Sequence, residues 1–198
     1  MISVDEKYMR MCFALAKKGY GKAAPNPMVG CVVLDRDGNL ISKGYHKKYG
    51  ENHAERDALL KLKNNEAEGG TLYVNLEPCS HFGKTPPCVD LIIKHKLKRV
   101  VIGMKDVNPK VDGITKLKAA GIEVDFVLEE EARFLNRMFI KTMTEKMPYV
   151  VLKTASTMDG KIASRIGSSK WITSETARKE VYRMRKEFDC IMTSSNTV

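Results

Sequence analysis

The stretch Asn52-His53-Ala54-Glu55 pairs with a second one further along the chain, Glu77-Pro78-Cys79-Ser80-His81-Phe82-Gly83-Lys84-Thr85-Pro86-Pro87-Cys88. The imidazole of His53 and the thiolates of Cys79 and Cys88 make a three-ligand protein site for zinc. Three protein ligands leave the fourth tetrahedral position free for a water molecule, which is the composition of a catalytic zinc site. The sequence therefore predicts a catalytic zinc centre built from these three side chains.

Glu55 lies two positions after His53, where its carboxylate can act on the water without binding the metal. We expect Glu55 to accept the water proton, to deliver it to a ring nitrogen and later to protonate a departing amine. His-x-Glu followed by Pro-Cys and a further Cys is the signature of the zinc-dependent base deaminases. The sequence departs from it in one respect, since eight residues separate Cys79 from Cys88 where the signature has two.

Two other interpretations of these residues stay open. His53 could be an ordinary imidazole beside two buried thiols. Alternatively, a zinc ion could be structural, with His81 as the fourth ligand, in a non-catalytic binding module. The joint occurrence of Glu55, the Pro-Cys pair and two predicted helix starts favours the catalytic interpretation.

The composition describes a globular protein of 198 residues with 43% hydrophobic residues and a net charge of +10. Its Lys and Arg residues are scattered, which suits a phosphorylated small molecule as well as a nucleic acid. The charge alone does not decide between these two kinds of partner. The sequence contains no run of about 18 apolar residues, so it predicts no membrane span. Its N-terminal residues are acidic and do not resemble a signal peptide. Five irregularly spaced cysteines do not resemble a disulfide framework. We expect a cytoplasmic protein that binds neither membrane nor nucleic acid.

Hydrophobic periodicity predicts an α/β fold in which strands and helices alternate after an opening hairpin. We expect a mixed sheet covered by helices on both faces. The predicted helices span about 4–18, 54–63, from 87, 114–120 and 129–145, and the predicted strands span 29–35, 40–45, 71–76, 99–104 and 122–128.

Lys146-Met147-Pro148 is the best candidate for a domain boundary, which divides the chain into domains 1–146 and 147–198. The second segment is predicted to contain a strand at 149–155, a turn at Asp159-Gly160, a helix from Ser174 and the start of a strand at 190–192. About fifty residues are marginal for an independent core. We therefore expect the opening of an α/β domain whose remainder is absent.

Four motifs together resemble the bifunctional riboflavin-biosynthesis deaminase/reductase family. They are Pro25-Asn26-Pro27-Met28-Val29-Gly30, His53-Ala54-Glu55, the run 77–88 and Asp106-Val107-Asn108-Pro109. The resemblance covers essentially the whole chain and explains the long spacing between Cys79 and Cys88. It implies a cytidine-deaminase-like three-layer αβα fold, with His53, Cys79 and Cys88 as zinc ligands and Glu55 as proton carrier.

The resemblance also implies a substrate, 2,5-diamino-6-ribosylamino-4(3H)-pyrimidinone 5′-phosphate, which is deaminated to the corresponding uracil. The positions that match the family's contacts to pyrimidine, ribose or phosphate are Asn26, His46, His81, Lys84, Asp106 and Asn108. A runner-up interpretation is a deaminase of nucleotides or of tRNA adenosine. The positive charge favours that alternative slightly, and the Cys79 to Cys88 insertion argues against it.

The second segment resembles the start of the family's reductase domain, which uses NADPH to reduce the ribosyl side chain. Ala155, Trp171 and Thr197 match contacts to the cofactor, and Ser169 and Arg185 match contacts to the substrate. Because the family continues well beyond Val198, we expect the reductase to be incomplete in this chain. The family commonly self-associates, so the resemblance also implies a homo-oligomer.

Overall fold

The structure, a computed structural model, describes residues 2–63, 65–83 and 85–195. It divides into two compact units, Met1–Pro148 and Tyr149–Val198. Two predicted site residues, Lys84 and Thr197, lie outside the described residues.

The first unit contains a mixed five-stranded sheet with the strand order β2-β1-β3-β4-β5. Strand β1 runs antiparallel to β2 and β3, whereas β3, β4 and β5 are mutually parallel. The strands are β1 (Gly30–Leu34), β2 (Leu40–Tyr45), β3 (Thr71–Val74), β4 (Arg99–Ile102) and β5 (Glu123–Phe126). The helices of this unit are α1 (Val4–Ala16), α2 (Ala54–Leu59), α3 (Cys88–Lys94), α4 (Gly113–Ala119), α5 (Glu129–Leu135) and α6 (Arg137–Glu145), and a 3-10 turn spans Lys17–Gly19.

Helix α1 begins at a reciprocal pair of hydrogen bonds. The backbone N–H of Glu6 donates to Ser3 Oγ at 3.1 Å, and the backbone N–H of Ser3 donates to Glu6 Oε2 at 2.8 Å. This capping box satisfies two amides that have no partner within the helix. The predicted helix start is thus confirmed.

Two glycines show that helices cover both faces of the sheet. A Cβ atom on Gly30 would lie 2.1 Å from the carbonyl oxygen of Cys12 in α1, and one on Gly44 would lie 2.4 Å from that of Ala54 in α2. Gly44 pairs with Cys31, the neighbour of Gly30 on β1. Because successive strand residues point to opposite faces, α1 and α2 pack on opposite faces of the sheet. The predicted three-layer arrangement is confirmed.

The strand directions bring several loops to one edge of the sheet. Val74 and Ile102, the last residues of β3 and β4, are direct partners in a parallel pair. Strand β1 is antiparallel to β3, so its first residue Gly30 lies at the same edge and pairs with Tyr45, the last residue of β2. The loops that precede β1 and follow β2, β3 and β4 therefore meet there.

Two helix predictions need correction in the first unit. The helix predicted over 54–63 ends at Leu59. The helix predicted over 129–145 is two helices, because Asn136 leaves helical geometry at φ −101° and ψ 19°. The side chain of Asn136 binds the backbone of a distant loop, which gives this break a physical reason.

The second unit contains helix α7 (Glu175–Arg185), whose first turn is capped by Ser174 Oγ, which accepts from the Ala177 N–H at 3.2 Å. The predicted strands at 149–155 and 190–192 are wrong, since the described residues of this unit form no strand. A strand needs a neighbour for its backbone hydrogen bonds. None of the described residues from 149 to 195 is buried, and Leu152 is 88% exposed.

Within the described ranges, the structure has no helix that combines the length and apolar character needed to cross a membrane.

Candidate active site

Three elements bring the predicted zinc ligands together. His53 is the residue immediately before α2, Cys79 lies in the loop after β3, and Cys88 is the first residue of α3. The Nδ1 atom of His53 lies 3.5 Å from the Sγ atom of Cys79 and 3.5 Å from that of Cys88. All three potential ligand atoms lie within 4.8 Å of one another.

These distances fit a zinc ion. In a tetrahedral site, bonds of about 2.3 Å to sulfur and about 2.0 Å to nitrogen place the sulfur and nitrogen atoms about 3.5 Å apart. The observed separations of 3.5 Å agree with that value. The sulfur and nitrogen donors are those that zinc prefers, so both the spacing and the chemistry of the donor set are suitable.

The electrostatics of the cluster favour a thiolate. The side chain of Cys88 hydrogen-bonds to Cys79 and lowers the pKa of Cys79 to about 4. The backbone N–H of Cys88 also donates to Cys79 Sγ at 3.3 Å. The hydrogen bond to Cys79 and burial raise the pKa of Cys88. The pKa of His53 is raised chiefly by its hydrogen bond to Cys79. Thiolate character is what a metal ligand requires.

Glu55 is a buried carboxyl group beside the cluster. It lies in the first turn of α2, and only 3% of the residue is exposed. Burial raises the pKa of Glu55 to about 7, and Cys88 is among its hydrogen-bonding neighbours. A carboxyl group held in this way can pass protons in both directions near neutral pH.

A cavity of about 390 Å³ opens over the cluster. His53, Glu55 and Cys79 contribute to its lining. The predicted substrate contacts that line the same cavity are Asn26, His46, His81, Asp106 and Asn108. Its volume is in the range of sites for small molecules. The structure thus gathers every described residue that the sequence assigned to the first site, apart from Cys88, around one cavity.

His46 is held as a neutral imidazole of one tautomer. Its Nδ1 lies 3.0 Å from the backbone carbonyl oxygen of Asn52, and its Nε2 lies 3.1 Å from Nδ2 of Asn26. A carbonyl oxygen can only accept, so Nδ1 carries the hydrogen and Nε2 accepts from Asn26. Burial lowers the pKa of His46, which also favours the neutral ring.

Asp106 and His81 bring further polar groups to the cavity. Burial raises the pKa of Asp106, whose Oδ1 accepts from the backbone N–H of Asn108 at 2.8 Å. Among the residues that the structure describes, none forms a hydrogen bond with the buried atoms His81 Nδ1 and Thr85 Oγ1, and both residues line the cavity. Buried polar atoms are rarely left unpaired in folded proteins. A polar ligand could satisfy them.

Sequence reasoning missed three buried polar residues that hold the surrounding loops. Glu77, Asn75 and Asn136 have exposed fractions of 3%, 0% and 2%. Each accepts a hydrogen bond from the backbone of a segment distant in sequence. It also missed Phe139 and Met143, which line the cavity from α6. Their spacing of four residues, which places both on one helix face, is a signal that could have found them.

The predicted residues of the second unit are less enclosed. Ala155 is partly buried, and Ser169, Trp171 and Arg185 are exposed. The guanidinium carbon of Arg178 lies 4.3 Å from the centroid of the Trp171 ring, and that of Arg185 lies 5.4 Å from the ring of Tyr182.

The fold and the His53, Cys79, Cys88 and Glu55 arrangement define a class of zinc-dependent deaminases. Residues 2–104 match the cytidine and deoxycytidylate deaminase zinc-binding region, and the chain belongs to this family. Residues 148–198 match the RibD C-terminal domain.

Similar curated proteins include riboflavin biosynthesis proteins. This chain is 49% identical over 198 residues to riboflavin biosynthesis protein RibD of Aquifex aeolicus, an alignment that covers 98% of this chain and 55% of that protein. The chain spans about half the length of the curated relatives it matches. The resemblance to the riboflavin-biosynthesis deaminase/reductases is confirmed.

Solved structures show the same similarity. The diaminohydroxyphosphoribosylaminopyrimidine deaminase/5-amino-6-(5-phosphoribosylamino)uracil reductase of Thermotoga maritima is 49% identical with a TM-score of 0.86, over 91% of this chain and 52% of that one. A C-terminal deletion mutant of Aspergillus oryzae Rib2 deaminase in complex with DARIPP is 25% identical with a TM-score of 0.57, over 72% of this chain and 95% of that one. The expected cytidine-deaminase-like fold is confirmed.

Proposed function

We propose that the first unit catalyses the hydrolytic deamination of 2,5-diamino-6-ribosylamino-4(3H)-pyrimidinone 5′-phosphate to 5-amino-6-ribosylaminouracil 5′-phosphate, a step in riboflavin biosynthesis. The observation that carries the proposal is the buried carboxyl of Glu55 beside the cluster of His53, Cys79 and Cys88, in one cavity with five predicted substrate contacts. The name of the similar Thermotoga maritima enzyme supports this choice of substrate.

His53, Cys79 and Cys88 would hold the zinc ion. Zinc bound by three protein ligands acts as a Lewis acid and lowers the pKa of a coordinated water to about 7. The hydrogen bonds at Cys79 hold a thiolate ready for this role.

Glu55 carries the protons of the reaction. Its carboxylate accepts a proton from the attacking water and delivers it to the ring nitrogen beside the amino-bearing carbon. The water oxygen bonds to that carbon as a hydroxyl group. Glu55 then takes the remaining proton from this hydroxyl and passes it to the departing amine. Ammonia leaves, and the carbon keeps the oxygen as a carbonyl group. Burial of Glu55 keeps bulk water away from these transfers.

The polar residues of the cavity would orient the pyrimidine. Asn26 uses Nδ2 for His46, so its Oδ1 remains as an acceptor for an amino group of the ring. Asp106 and Asn108 can bind the amino and carbonyl edges of the ring. The buried Nδ1 atom of His81 can form a hydrogen bond with the ribosyl phosphate. We also assign Lys84 to the phosphate, because its ammonium group supplies a compact positive charge.

The test is ammonia release from the diaminopyrimidinone ribosyl phosphate by the purified chain, with zinc quantified. We expect turnover by the parent, and none by Glu55→Gln at equal zinc content. Glu123→Gln, which changes an exposed strand residue, is the matched control and should leave turnover intact. Absence of turnover by the zinc-loaded parent would reject the proposal, and release of ammonia from nucleotides or tRNA adenosine would establish the alternative.

We propose that residues 147–198 are the opening part of an NADPH-dependent reductase domain, and that residues 1–146 form the deaminase domain. The match of residues 148–198 to the RibD C-terminal domain supports this division. Ala155, Trp171 and Thr197 would contact the cofactor, and Ser169 and Arg185 the ribosyl substrate. Fluorescence titration with NADPH tests the assignment: binding that Trp171→Ala weakens would support it, and binding that this substitution leaves unchanged would reject it.

We also propose a homo-oligomer that works in the cytoplasm. A reducing compartment suits the pair of thiol ligands, because a disulfide between Cys79 and Cys88 would abolish the metal site. Sedimentation velocity at several protein concentrations would test self-association, and a single species of monomer mass would reject it.

A further inference from the structure

The side chain of Asn136 binds both polar groups of one residue in a distant loop. Asn136 Oδ1 accepts from the backbone N–H of Met28 at 2.9 Å, and Asn136 Nδ2 donates to the backbone carbonyl oxygen of Met28 at 3.0 Å. Asn136 is only 2% exposed. Its amide therefore acts on Met28 as a neighbouring strand would.

Asn75, which directly follows strand β3, also binds the backbone at Met28. Asn75 Nδ2 donates to the Met28 carbonyl oxygen at 2.9 Å, and Asn75 Oδ1 accepts from the backbone N–H of Gly30 at 2.7 Å. The carbonyl oxygen of Met28 thus receives two donors. Within the described part of the chain, the Met28 N–H, by contrast, donates to Asn136 only.

The anchored loop carries a group that faces the cavity. Asn26 lies two residues before Met28, and its Nδ2 holds the neutral ring of His46 at 3.1 Å. The neighbouring Val29 carbonyl oxygen accepts from the backbone N–H of His46 at 2.9 Å. A shift of the Met28 backbone would therefore move Asn26 and disturb His46.

Asn136 also marks the start of helix α6. Phe139 and Met143 follow it by three and seven positions, so all three lie on one face of the helix, and Phe139 and Met143 line the cavity. Ile140 on the same face packs against the hydrophobic core. The position at which α6 begins after Asn136 therefore determines the position of Phe139 and Met143, the apolar wall of the cavity.

We infer that Asn136 is a positioning residue of the site: by holding Met28 to the start of α6, it fixes Asn26 and the apolar wall of Phe139 and Met143 relative to one another. This inference rests on the proposed function for its kinetic consequence. Asn136 does not line the cavity itself, so it acts through these neighbours.

The test compares Asn136→Ala with Ser42→Ala in the full chain. Ser42 is a matched control, since its Oγ donates a buried hydrogen bond to the carbonyl oxygen of Ala58 at 2.7 Å and Ser42 does not line the cavity. Thermal stability, zinc content, kcat and KM are measured for each. If Asn136→Ala does not fold, Asn136→Ser replaces it, because a serine hydroxyl is too short to span both groups of Met28.

We expect Asn136→Ala to lower kcat/KM by about 10- to 100-fold, mainly through a higher KM, at unchanged zinc content. A purely structural role would lower the folded fraction, and with it the apparent kcat, at constant KM. Ser42→Ala should leave KM and the zinc content as in the parent. An unchanged KM in a folded Asn136 variant would overturn the inference.

Amide hydrogen exchange gives a readout that does not depend on deamination. Exchange at Met28 should become about tenfold faster in Asn136→Ala, together with exchange along α6, while Gly30, held by Asn75, changes less. If the parent releases no ammonia, the proposed function fails, and exchange alone decides the inference. Faster exchange at both Met28 and α6 would support it, and unchanged exchange at either would overturn it.

Discussion

Glu77 Oε2 lies 3.1 Å from the backbone nitrogen of Asp106, so the loop after β3 holds the loop after β4. The other carboxylate oxygen of Glu77 accepts from the backbone N–H of Ile114 in α4 at 3.0 Å. A single carboxylate thereby ties the segment that contains Cys79 to the segment that contains Asp106. This relationship explains why a charged residue with 3% exposure is tolerated.

Glu77→Gln should destabilise the protein and weaken substrate binding. A carboxamide has one oxygen instead of two, so one of the two backbone N–H groups loses its acceptor. We expect a loss of about 1–3 kcal/mol in the free energy of unfolding, because a buried donor is left unpaired. Urea denaturation measures the loss, and KM should rise as Asp106 becomes less well fixed.

Glu68→Gln is the control for Glu77. Glu68 forms an exposed ion pair with Lys96, and such pairs contribute little. A Glu77→Gln protein as stable as Glu68→Gln would contradict the role given to this carboxylate.

Removal of the zinc ion from His53, Cys79 and Cys88, its three proposed ligands, should lower the thermal stability of the protein. A ligand that binds only the folded state stabilises it by about 2.7 kcal/mol when present at 100 times its dissociation constant. We expect about one zinc per chain in the parent and a lower melting temperature after chelation. Cys79→Ser should lose the zinc and show no further shift with chelator.

Cys190→Ser provides the matched cysteine control. Cys190 is exposed and lies in the second unit, away from the cluster in sequence. Its replacement should leave the zinc content and the chelator response of the parent intact. Full zinc content in Cys79→Ser, measured by atomic absorption, would disprove the ligand assignment.

The zinc cluster was predictable because its signal is local. His53 and Glu55 lie at the start of α2. Cys79 and Cys88 border a proline-containing loop, and this loop ends at the start of α3. The strand order then brings these ends together, since β3 and β4 are parallel and β1 is antiparallel to β3. Residue type and strand direction were therefore enough to place this part of the site.

The anchors of the site were not predictable from local patterns. Asn136 interrupts a run with helical periodicity because its side chain bonds to Met28, 108 positions earlier in the chain. Glu77 likewise bonds to Asp106, 29 positions later. Propensity and periodicity describe neighbours in sequence, so such contacts are invisible to them. The strand predicted at 149–155 was wrong for a related reason, since β-propensity does not supply a partner strand.

The contribution of Asp5 to stability should depend on pH. Arg99 donates to both oxygens of Asp5 at 3.0 and 2.9 Å, and the Tyr73 hydroxyl donates to Asp5 Oδ1 at 2.6 Å. The hydrogen bond from Arg99 is the main cause that lowers the pKa of Asp5 below its ordinary value of 3.8. Because the pKa of Asp5 is lower in the folded state, its ionised carboxylate stabilises the protein at pH values above the unfolded-state pKa. This stability is lost as the pH falls through the folded-state pKa.

Asp5→Asn should therefore cost about 1 kcal/mol at pH 7, and the difference from the parent should shrink below about pH 4. Denaturation at pH 7, 5 and 3 measures it. Asp125→Asn is the control, since Asp125 bonds the same guanidinium from a side chain that is 52% exposed. A difference between parent and Asp5→Asn that persists unchanged at the lowest pH would refute the electrostatic explanation.

A chain that ends at Pro148 should keep the zinc site and the deaminase activity. The buried hydrophobic residues, within the described ranges, lie between Met9 and Leu135, and the cavity lining ends at Met143. The second unit exposes apolar side chains, including Leu152 at 88% and Ile166 at 91%. We expect unchanged zinc content and kcat/KM together with less aggregation, because exposed apolar surface promotes association.

A chain that ends at Asn136 lacks Phe139 and Met143, which form the apolar wall of the cavity, so its KM should rise. Light scattering and ammonia release measure both chains, and loss of zinc or turnover in the one ending at Pro148 would show that the first unit needs the second.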